Sequence, residues 1–194
     1  AMALRRKIGK SFILTSTEKR SQEINNNNSL TNIFAGTIAK EILKDASLII
    51  IATEVSRVLS FSDLVKKYSP QNSKVLIASK GFYKKGEVVP IIFKSKINNR
   101  FVGVLSGPSF AEEVIKDKPT ALVVAGQREL TSLTVKFLHT NNLRIYRSND
   151  VIGTSVSGAM KNVIAIASGI VFGLELGENA RAAMLTRGLA ETAK

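Results

Sequence analysis

Runs of consecutive apolar residues, separated by segments with helical spacing, constrain the fold of this chain most strongly. Four of these runs are interpreted as strands: LIIIAT (48–53), VLIAS (75–79), FVGVLSG (101–107) and TALVVAG (120–126). The segments between them are interpreted as helices, and Pro90 in VVPIIFKSK (88–96) suits a first helical turn. Continuous apolar strands that alternate with helices are typical of a parallel sheet covered on both faces. The sequence therefore predicts the α/β fold class, with a mostly parallel sheet.

The same alternation extends over the rest of residues 1–149. SFILTST (11–17) and LRIYRS (143–148) are further predicted strands, and residues 1–10 are interpreted as the end of a helix. Helices are also predicted over IAKEILKD (38–45), SRVLSFSDLVKKY (56–68), SFAEEVIKD (109–117) and QRELTSLTVKFLHT (127–140). A polar stretch follows SFILTST, and the asparagine run at 25–28 within it is interpreted as a solvated loop, not as a site.

A composition change near residues 148–152 marks the predicted domain boundary, because only helical patterns follow it. We expect an α/β domain over 1–149 and the start of an α-helical domain over 150–194. The first helical segment, VIGTSVSGAMKNVIAIASGIVFGL (151–174), is apolar or small almost all round, which is typical of a helix buried in a larger protein. Gly177 separates it from a second predicted helix over 178–194.

Lys161 is the only charged residue in the segment 151–174. Burial disfavours the charged form of a lysine and lowers its pKa, so that the amine can give and take protons. Gly153, Ser157 and Gly158 would let neighbouring backbone approach this part of the helix closely. The alternative is a lysine whose stem lies on apolar surface while its amine reaches solvent. The residues alone leave both interpretations open.

The net charge of +13 predicts that the protein attracts anions. Its basic residues are scattered and aromatic residues make up only 6%, so the stacking platform typical of nucleic-acid binding is missing. A phosphorylated small molecule or a nucleotide is therefore favoured, and nucleic acid is the alternative. Cysteine is absent and His139 is the single histidine. These counts exclude disulfides, thiolate metal ligands and a cysteine nucleophile, and we expect no metal site and a helix-capping role for His139.

The start of the chain shows no convincing targeting signal. The charge-free stretch 162–174 is shorter than the roughly 20 residues that a bilayer span needs. We therefore expect a soluble, cytoplasmic protein without a membrane span. The rival interpretation is a membrane-associated scaffold that uses the helix after Lys161.

Cationic and hydroxyl side chains follow two of the predicted strands. Lys80 and Gly81 come directly after VLIAS, and Ser109 comes shortly after FVGVLSG. Because open α/β sheets bind ligands at the carboxyl ends of their strands, Lys80 could meet a phosphate or a polarised oxygen there. Ser109 and Glu112 have capping-box spacing, which predicts a helix start whose backbone amides face the same edge. The alternatives are an exposed loop lysine and a plain turn with a helix cap.

Three longer segments carry a resemblance to a known family. They are ASKG (78–81), SGPSFAEEVIKDKPTALVVA (106–125) and VSGAMKNVIAIASGIVFGLELGENARAAMLTRGLAE (156–191). They closely resemble bacterial NAD(P)-dependent sn-glycerol-3-phosphate dehydrogenase, whereas residues 1–74 resemble it only loosely. The resemblance implies a Rossmann-like sheet followed by a helical domain. It also implies an oxidoreductase that transfers a hydride between NAD(P)H and dihydroxyacetone phosphate, giving sn-glycerol 3-phosphate for phospholipid synthesis, and it is compatible with a homodimer.

The resemblance further implies roles for individual residues. Lys161 in GAMKN would be the catalytic lysine, which protonates the developing alkoxide in reduction and takes the hydroxyl proton in oxidation. The substrate would be bound by Lys80, Gly107, Ser109 and Lys161, and the NADP or NAD cofactor by Lys80 and Ala111. Asn162 would support the site.

The sequence also departs from the family pattern. No G-x-G occurs in it, so the strand and glycine-rich turn with which the family begins are missing, as are the later Asp and Ser-Arg-Asn motif. Glu54 and Val55 replace the usual proline-serine pair after LIIIAT. We therefore expect this 194-residue chain alone to turn over poorly or not at all.

The choice between NAD and NADP depends on the residues after SFILTST. An acid there favours NAD by bonding the ribose hydroxyls, whereas a nearby arginine accommodates the phosphate of NADP. Glu18 suits the first and Lys19 with Arg20 the second, and the pattern leans toward NADP. A rival function is another dehydrogenase of the same two-domain plan, acting on a hydroxy acid.

Overall fold

The computed structural model describes residues 11–27, 33–98 and 101–193. The described strands are β1 (Ser11–Leu14), β2 (Ile33–Gly36), β3 (Leu48–Ile51), β4 (Lys74–Ile77), β5 (Val102–Ser106), β6 (Thr120–Ala125) and β7 (Leu143–Ser148). The described α-helices are α1 (Glu18–Asn25), α2 (Ala39–Leu43), α3 (Val55–Val58), α4 (Ser62–Tyr68), α5 (Val89–Ile97), α6 (Ala111–Ile115), α7 (Arg128–Leu138), α8 (Val151–Gly173) and α9 (Gly177–Thr192). The helix predicted at 1–10 and the last residue of the asparagine run lie outside the described residues.

The described strands form two sheets. β1 and β2 pair in parallel, and the larger sheet has the order β3-β4-β5-β6-β7. β3, β4 and β5 run parallel, β6 is antiparallel to β5, and β7 is parallel to β6. The predicted α/β fold with a mostly parallel sheet is confirmed, with one reversal between β5 and β6.

The reversal between β5 and β6 determines where helix α8 begins. Because β6 and β7 run against β5, β7 ends at the edge of the sheet where β5 starts. α8 begins near that edge, where the carboxylate of Asp150 caps the helix by accepting a hydrogen bond from the amide of Gly153 at 2.8 Å. The helix then contacts β5 and β6 along its course. α8 therefore runs from the amino end of β5 toward its carboxyl end.

The central part of the larger sheet is buried on both faces at β4, as the continuous apolar strands predict, whereas the edge strand β7 exposes Arg144 and Tyr146. Successive side chains of a strand point to opposite faces, and Val75 and Ile77 of β4 lie in one apolar cluster with Phe93 of α5. Leu76, between them, lies in a second cluster with Leu130 of α7. All five of these side chains are fully buried. The strand that carries Lys80 at its end is thus held from both sides.

The polar stretch after β1 begins with helix α1, which was not predicted, and the asparagine run predicted as a solvated loop starts at its last residue, Asn25, with Asn26 and Asn27 exposed after the helix. Thr17 caps α1, with its hydroxyl oxygen accepting from the amide of Arg20 at 3.3 Å. The Asn25 side chain bonds both backbone groups of Ala35 in β2, at 3.0 and 2.8 Å. The strand β2 was likewise not predicted. Polar side chains hold this unit, so hydrophobic periodicity does not indicate it.

α8 is largely exposed in this chain, whereas its composition is typical of a helix buried in a larger protein. Gly158 and Ala159 are its only buried residues, and Ile166 and Phe172 are more than half exposed. Within the described residues α8 packs mainly on β5, β6 and α9, which leaves much of its second half at the surface. By length and composition α8 could cross a membrane, contrary to the predicted absence of such a span. Core helices of soluble proteins have the same length and composition, and Lys161 lies inside this helix.

His139 lies at the end of α7, as predicted, but its ring does not cap the last carbonyls. Its backbone amide bonds to the carbonyl of Val135 at 3.0 Å. Its ring atom Nδ1 accepts a hydrogen bond from the amide of Ile145 in β7 at 3.2 Å. The ring therefore ties the end of α7 to the neighbouring strand, which is a structural role.

Candidate active site

The carboxyl ends of β4 and β5 lie side by side, because the two strands are parallel neighbours. Lys80 follows β4 and Gly107 follows β5. The Lys80 ammonium donates a hydrogen bond from Nζ to the carbonyl oxygen of Gly107 at 3.0 Å. The two loops are thereby joined at the edge where open α/β sheets bind ligands.

Both loops use backbone conformations that favour glycine. Gly81 has a φ of 133° and Gly107 a φ of 142°. A Cβ atom at Gly107 would lie 2.8 Å from the carbonyl oxygen of Ala121 in β6, which is closer than real Cβ atoms come. Gly107 therefore lets the chain turn tightly beside β6 while its own carbonyl accepts the bond from Lys80.

Gly158 brings α8 into close contact with the end of β5. A Cβ atom at Gly158 would overlap the hydroxyl oxygen of Ser106, the buried last residue of that strand. Lys161 lies three residues further along α8, which is almost one helical turn. The close packing at Gly158 thus sets the position of Lys161 near the carboxyl end of β5. Lys161 itself is half-buried.

The ring of Phe110 lies beside the Lys161 amine. The distance from Lys161 Nζ to the ring centroid is 5.9 Å, within the range of a cation–π contact. Phe110 is the N-cap residue of α6, and 69% of its surface is exposed. Sequence reasoning did not identify Phe110, although an aromatic residue in a loop at a ligand-binding edge is a usable signal. The ring covers part of the amine and leaves its own outer surface open.

Lys80 and Lys161 bring two amines together at this edge. Burial lowers the pKa of Lys80, and the positive charge of Lys161 and a hydrogen bond with its amine lower it further. Two cationic groups that face each other attract an anion placed between them. The arrangement can therefore bind a phosphate or stabilise negative charge that develops on an oxygen.

The remaining residues implied by the resemblance lie around the same loop and helix. Ser109 does not form the predicted capping box, since α6 starts at Ala111 with Phe110 as its N-cap and no side-chain cap bond. Ser109 lies one position before the N-cap, and α6 is shorter than the predicted 109–117. Ala111 is exposed at the first helical position, and Asn162 is exposed next to Lys161. Their implied roles stay predictions.

Within the described ranges, no group of three or more His, Asp or Glu side chains could hold a metal ion. The candidate site is built instead from two amines, a backbone carbonyl and nearby hydroxyl and aromatic side chains. Groups of this kind suit an anionic organic ligand.

Part of the donor set fits a nicotinamide dinucleotide. Glu18 follows β1, and its carboxylate is suited to bonding ribose hydroxyls at the carboxyl edge of the smaller sheet. The Thr37 hydroxyl, which follows β2, donates a hydrogen bond to Glu18 Oε1 at 2.8 Å. The sequence has no G-x-G turn, so the usual pyrophosphate cradle is not among its residues. The residues that suit a dinucleotide are therefore Glu18, for the ribose, and Lys80 at the carboxyl end of β4.

The fold and these strand ends define a Rossmann-like α/β protein, of the class that takes a nicotinamide dinucleotide at its carboxyl edge. Two family models match the chain. The model of the NAD-dependent glycerol-3-phosphate dehydrogenase N-terminus matches residues 6–132, and the model of the C-terminus matches residues 150–194. The chain therefore belongs to the NAD-dependent glycerol-3-phosphate dehydrogenase family.

Individual relatives agree with this assignment. The chain is 45% identical over 154 residues to the NAD(P)+ glycerol-3-phosphate dehydrogenase of Neisseria meningitidis serogroup A, covering 78% of this chain and 47% of the relative. It is 48% identical over 122 residues to that of Nitratiruptor sp., covering 62% and 41%. The crystal structure of glycerol-3-phosphate dehydrogenase from Coxiella burnetii superposes with a TM-score of 0.87 at 28% identity, covering 98% of this chain and 62% of that one. The chain spans about half the length of the curated relatives it matches.

Proposed function

We propose that this protein interconverts dihydroxyacetone phosphate and sn-glycerol 3-phosphate, using NAD(P)H or NAD(P)+, and that its product serves phospholipid synthesis. One observation supports this proposal above the others. In a chain of this family, Lys80 and Lys161 come together at the carboxyl ends of β4 and β5, where the sheet binds ligands. The relatives named above carry the same reaction in their names.

Lys161 holds the proton that moves in the proposed reaction. A bound nicotinamide supplies the hydride in reduction and accepts it in oxidation. In reduction the carbonyl carbon gains the hydride, and Lys161 Nζ gives a proton to the carbonyl oxygen, which leaves an alcohol and a neutral amine. In oxidation the neutral amine takes the hydroxyl proton as the hydride leaves the carbon. A positioned acid or base of this kind contributes about 10²- to 10⁴-fold to the rate.

Lys80 provides the second positive charge of the proposed site. Its ammonium is oriented by the bond to the Gly107 carbonyl and lies close to Lys161. A substrate anion between the two amines would offset their repulsion and favour the protonated form of Lys80. In this proposal Gly107 and Ser109 hold the substrate, Ala111 lies against the cofactor, and Asn162 supports Lys161.

Replacing Lys161 tests the proposed function most directly. The experiment uses the protein expressed from its complete gene, because this chain spans about half of its relatives. We expect Lys161→Ala to lower the turnover of dihydroxyacetone phosphate by about 10²- to 10⁴-fold while dinucleotide binding is retained. The matched control is Lys136→Ala, an exposed lysine on α7, which should leave turnover unchanged. Unchanged turnover in Lys161→Ala would remove the catalytic role.

A substrate panel separates the proposed function from the rival hydroxy-acid dehydrogenase. We expect the same protein to reduce dihydroxyacetone phosphate and to leave unphosphorylated keto acids unchanged, because two amines at the site suit a phosphorylated substrate. Reduction of the keto acids alone would assign the rival function.

The proposal also covers location and partners. A cysteine-free chain that acts on phosphorylated metabolites suits a reducing cytoplasm. Its basic residues are scattered, so we propose no nucleic-acid partner. A salt-dependent mobility shift with DNA or RNA would contradict this. A homodimer stays a prediction, which light scattering of the purified protein would test.

A further inference from the structure

The smaller sheet presents one carboxylate at its carboxyl edge. β1 and β2 are parallel, with Leu14 opposite Gly36, so the segments that follow them emerge side by side. Glu18 is the first residue of α1 after β1, and Thr37 directly follows β2. The Thr37 hydroxyl donates to Glu18 Oε1 at 2.8 Å. This bond holds the carboxylate at the ends of both strands.

The arginine near this carboxylate is directed along its own helix. Arg20 pairs through its guanidinium with the carboxylate of Glu23 at 2.8 Å, with the (i, i+3) spacing of neighbours on one helix face. The pair lies at the surface, with side chains 67% and 47% exposed. In this position the Arg20 guanidinium is paired with Glu23 on α1, an exposed contact that solvent weakens. Sequence alone offers both Glu18 and Arg20 and leans toward the arginine, and the structure separates the two residues by their hydrogen-bond partners.

We propose that Glu18, oriented by Thr37, makes this protein prefer NAD over NADP. A carboxylate at this strand end accepts hydrogen bonds from the ribose hydroxyls of NAD, whereas it repels the additional phosphate of NADP. The inference rests on the proposed function and reverses the preference for NADP that the sequence pattern alone favours. Glu18 and Lys19 are both exposed, so solvent screens both charges; what distinguishes Glu18 is the bond from Thr37 that holds its carboxylate in place.

Local charge does not decide the preference by itself. Glu18 and Glu23 carry two negative charges, and Lys19 and Arg20 carry two positive charges, so this stretch is nearly neutral. The two residues differ in their hydrogen-bond partners. Glu18 accepts from Thr37 at the end of β2, whereas Arg20 donates to Glu23 within α1. A test must therefore change Glu18 and release Arg20 separately.

Binding measurements on the protein expressed from its complete gene test the inference without relying on turnover. Calorimetric titration with NADH and NADPH gives the two dissociation constants. We expect the unmodified protein to bind NADH about tenfold or more tightly than NADPH, a difference of about 1.4 kcal/mol. Glu18→Gln keeps an oxygen for Thr37 but removes the charge, and it should reduce that ratio at least several-fold, mainly by strengthening NADPH binding.

Two further variants separate position from general charge. Glu23→Gln frees the Arg20 guanidinium and should strengthen NADPH binding while leaving NADH binding nearly unchanged. Glu129→Gln is the matched control. Glu129 lies in the first turn of α7, which follows β6, and β6 is antiparallel to β5, so Glu129 lies far from the carboxyl ends of β4 and β5. It should change neither constant. Unchanged circular dichroism and thermal midpoints would exclude misfolding as the cause.

The outcomes distinguish this inference from the proposed function. Equal binding of both cofactors, tighter NADPH binding by the unmodified protein, or an unchanged ratio in Glu18→Gln would overturn the inference and leave the dehydrogenase function intact. Binding of neither dinucleotide would overturn both.

Discussion

The two sheets of this molecule are held together by different kinds of interaction. In the larger sheet, Val75, Leu76 and Ile77 of the β4 strand are fully buried between helices on both faces. In the smaller sheet, Phe12 and Phe34 are 57% and 44% exposed, with ring centroids 5.6 Å apart. Side-chain hydrogen bonds from α1 supply much of what holds the smaller sheet. The larger sheet carries the apolar core, and the smaller sheet is more exposed and is joined to α1 by side-chain hydrogen bonds.

This difference matches the different tasks proposed for the two edges. The amines of Lys80 and Lys161 must meet within a narrow geometry, and both extend from a tightly packed sheet and a helix pressed against it. Glu18 must only offer a carboxylate to a hydroxyl, and it lies on a unit whose surface residues can change at little cost to the core. In the proposed function, the chemistry lies at the tightly packed larger sheet and cofactor selection at the more exposed smaller sheet.

The largest expected effect that separates the two sheets is on stability. Phe93→Ala removes a fully buried side chain beside β4 and should lower the free energy of unfolding by about 3–5 kcal/mol. Phe12→Ala removes an exposed ring from the smaller sheet and should cost about 1 kcal/mol. Urea unfolding of both variants measures the difference. Equal losses of unfolding free energy in the two variants would mean that the two sheets contribute equally to stability.

The same distinction explains how much of the fold could be predicted from sequence. Strands with continuous apolar runs, such as β4, β5 and β6, were predicted nearly at their observed positions. α1 and β2 were missed because their stability comes from Asn25 and Thr17 side chains that bond backbone groups, which hydrophobic periodicity does not record. Burial of α8 within a larger protein stays a prediction, because this chain spans about half the length of its relatives and apolar composition does not show which neighbours cover a helix.

A smaller effect should appear where the larger sheet meets α8. Gly158→Ala places a methyl group against the Ser106 hydroxyl, so we expect a loss of about 1–3 kcal/mol in the free energy of unfolding. Displacement of α8 also moves Lys161, so turnover should fall with it. Gly169→Ala is the matched control in the same helix. No atom of the described residues lies within 4 Å of its Cβ position, and it should stabilise the helix by about 0.5–1 kcal/mol.

Comparable losses in both α8 variants would show that general helix effects, and not the contact with Ser106, control this position. A loss of turnover confined to Gly158→Ala would instead show that close packing on the rigid sheet places the catalytic amine. Thermal unfolding and steady-state rates of the two variants, measured together, decide between these results.

The candidate site was predictable only in part, for a related reason. Lys80 and Gly107 follow apolar strands, so the rule that ligands bind at strand ends brings them together. Lys161 was singled out by its isolation in an apolar segment and by the family resemblance. The contact of Phe110 with Lys161 and the bond from Thr37 to Glu18 join residues far apart in sequence, and no local pattern indicates such pairs.

Within the smaller sheet, Asn25→Ala should have a moderate and local effect. The variant removes two hydrogen bonds to Ala35, each worth about 1 kcal/mol, so we expect a loss of about 1–2 kcal/mol. Hydrogen exchange should increase in β2 and stay unchanged in β4. Gln22→Ala, an exposed position on the same helix, is the control and should stay within about 0.5 kcal/mol. Increased exchange in β4 as well would mean that the two sheets unfold as one unit.

The smallest expected effect is on the protonation of Lys80. Burial first, and the Lys161 charge second, hold the pKa of Lys80 below its usual value of 10.5. Lys161→Met removes the second cause, so the pKa of Lys80 should rise while burial keeps it below that value. An NMR titration of the Lys80 side chain measures this, with Lys136→Met as a control that should leave it unchanged.

The same shift gives the sign of the pH dependence of stability. Because the folded protein binds a proton at Lys80 less readily than the unfolded chain does, Lys80 makes stability rise with pH between its lowered pKa and 10.5. Lys161→Met narrows that interval and should flatten the rise. If the variant leaves both the titration and the slope unchanged, the two amines do not face each other in solution. Lys80 would then lie at the end of the packed sheet without Lys161 beside it. The proposed site at the ends of β4 and β5 would lose its main support.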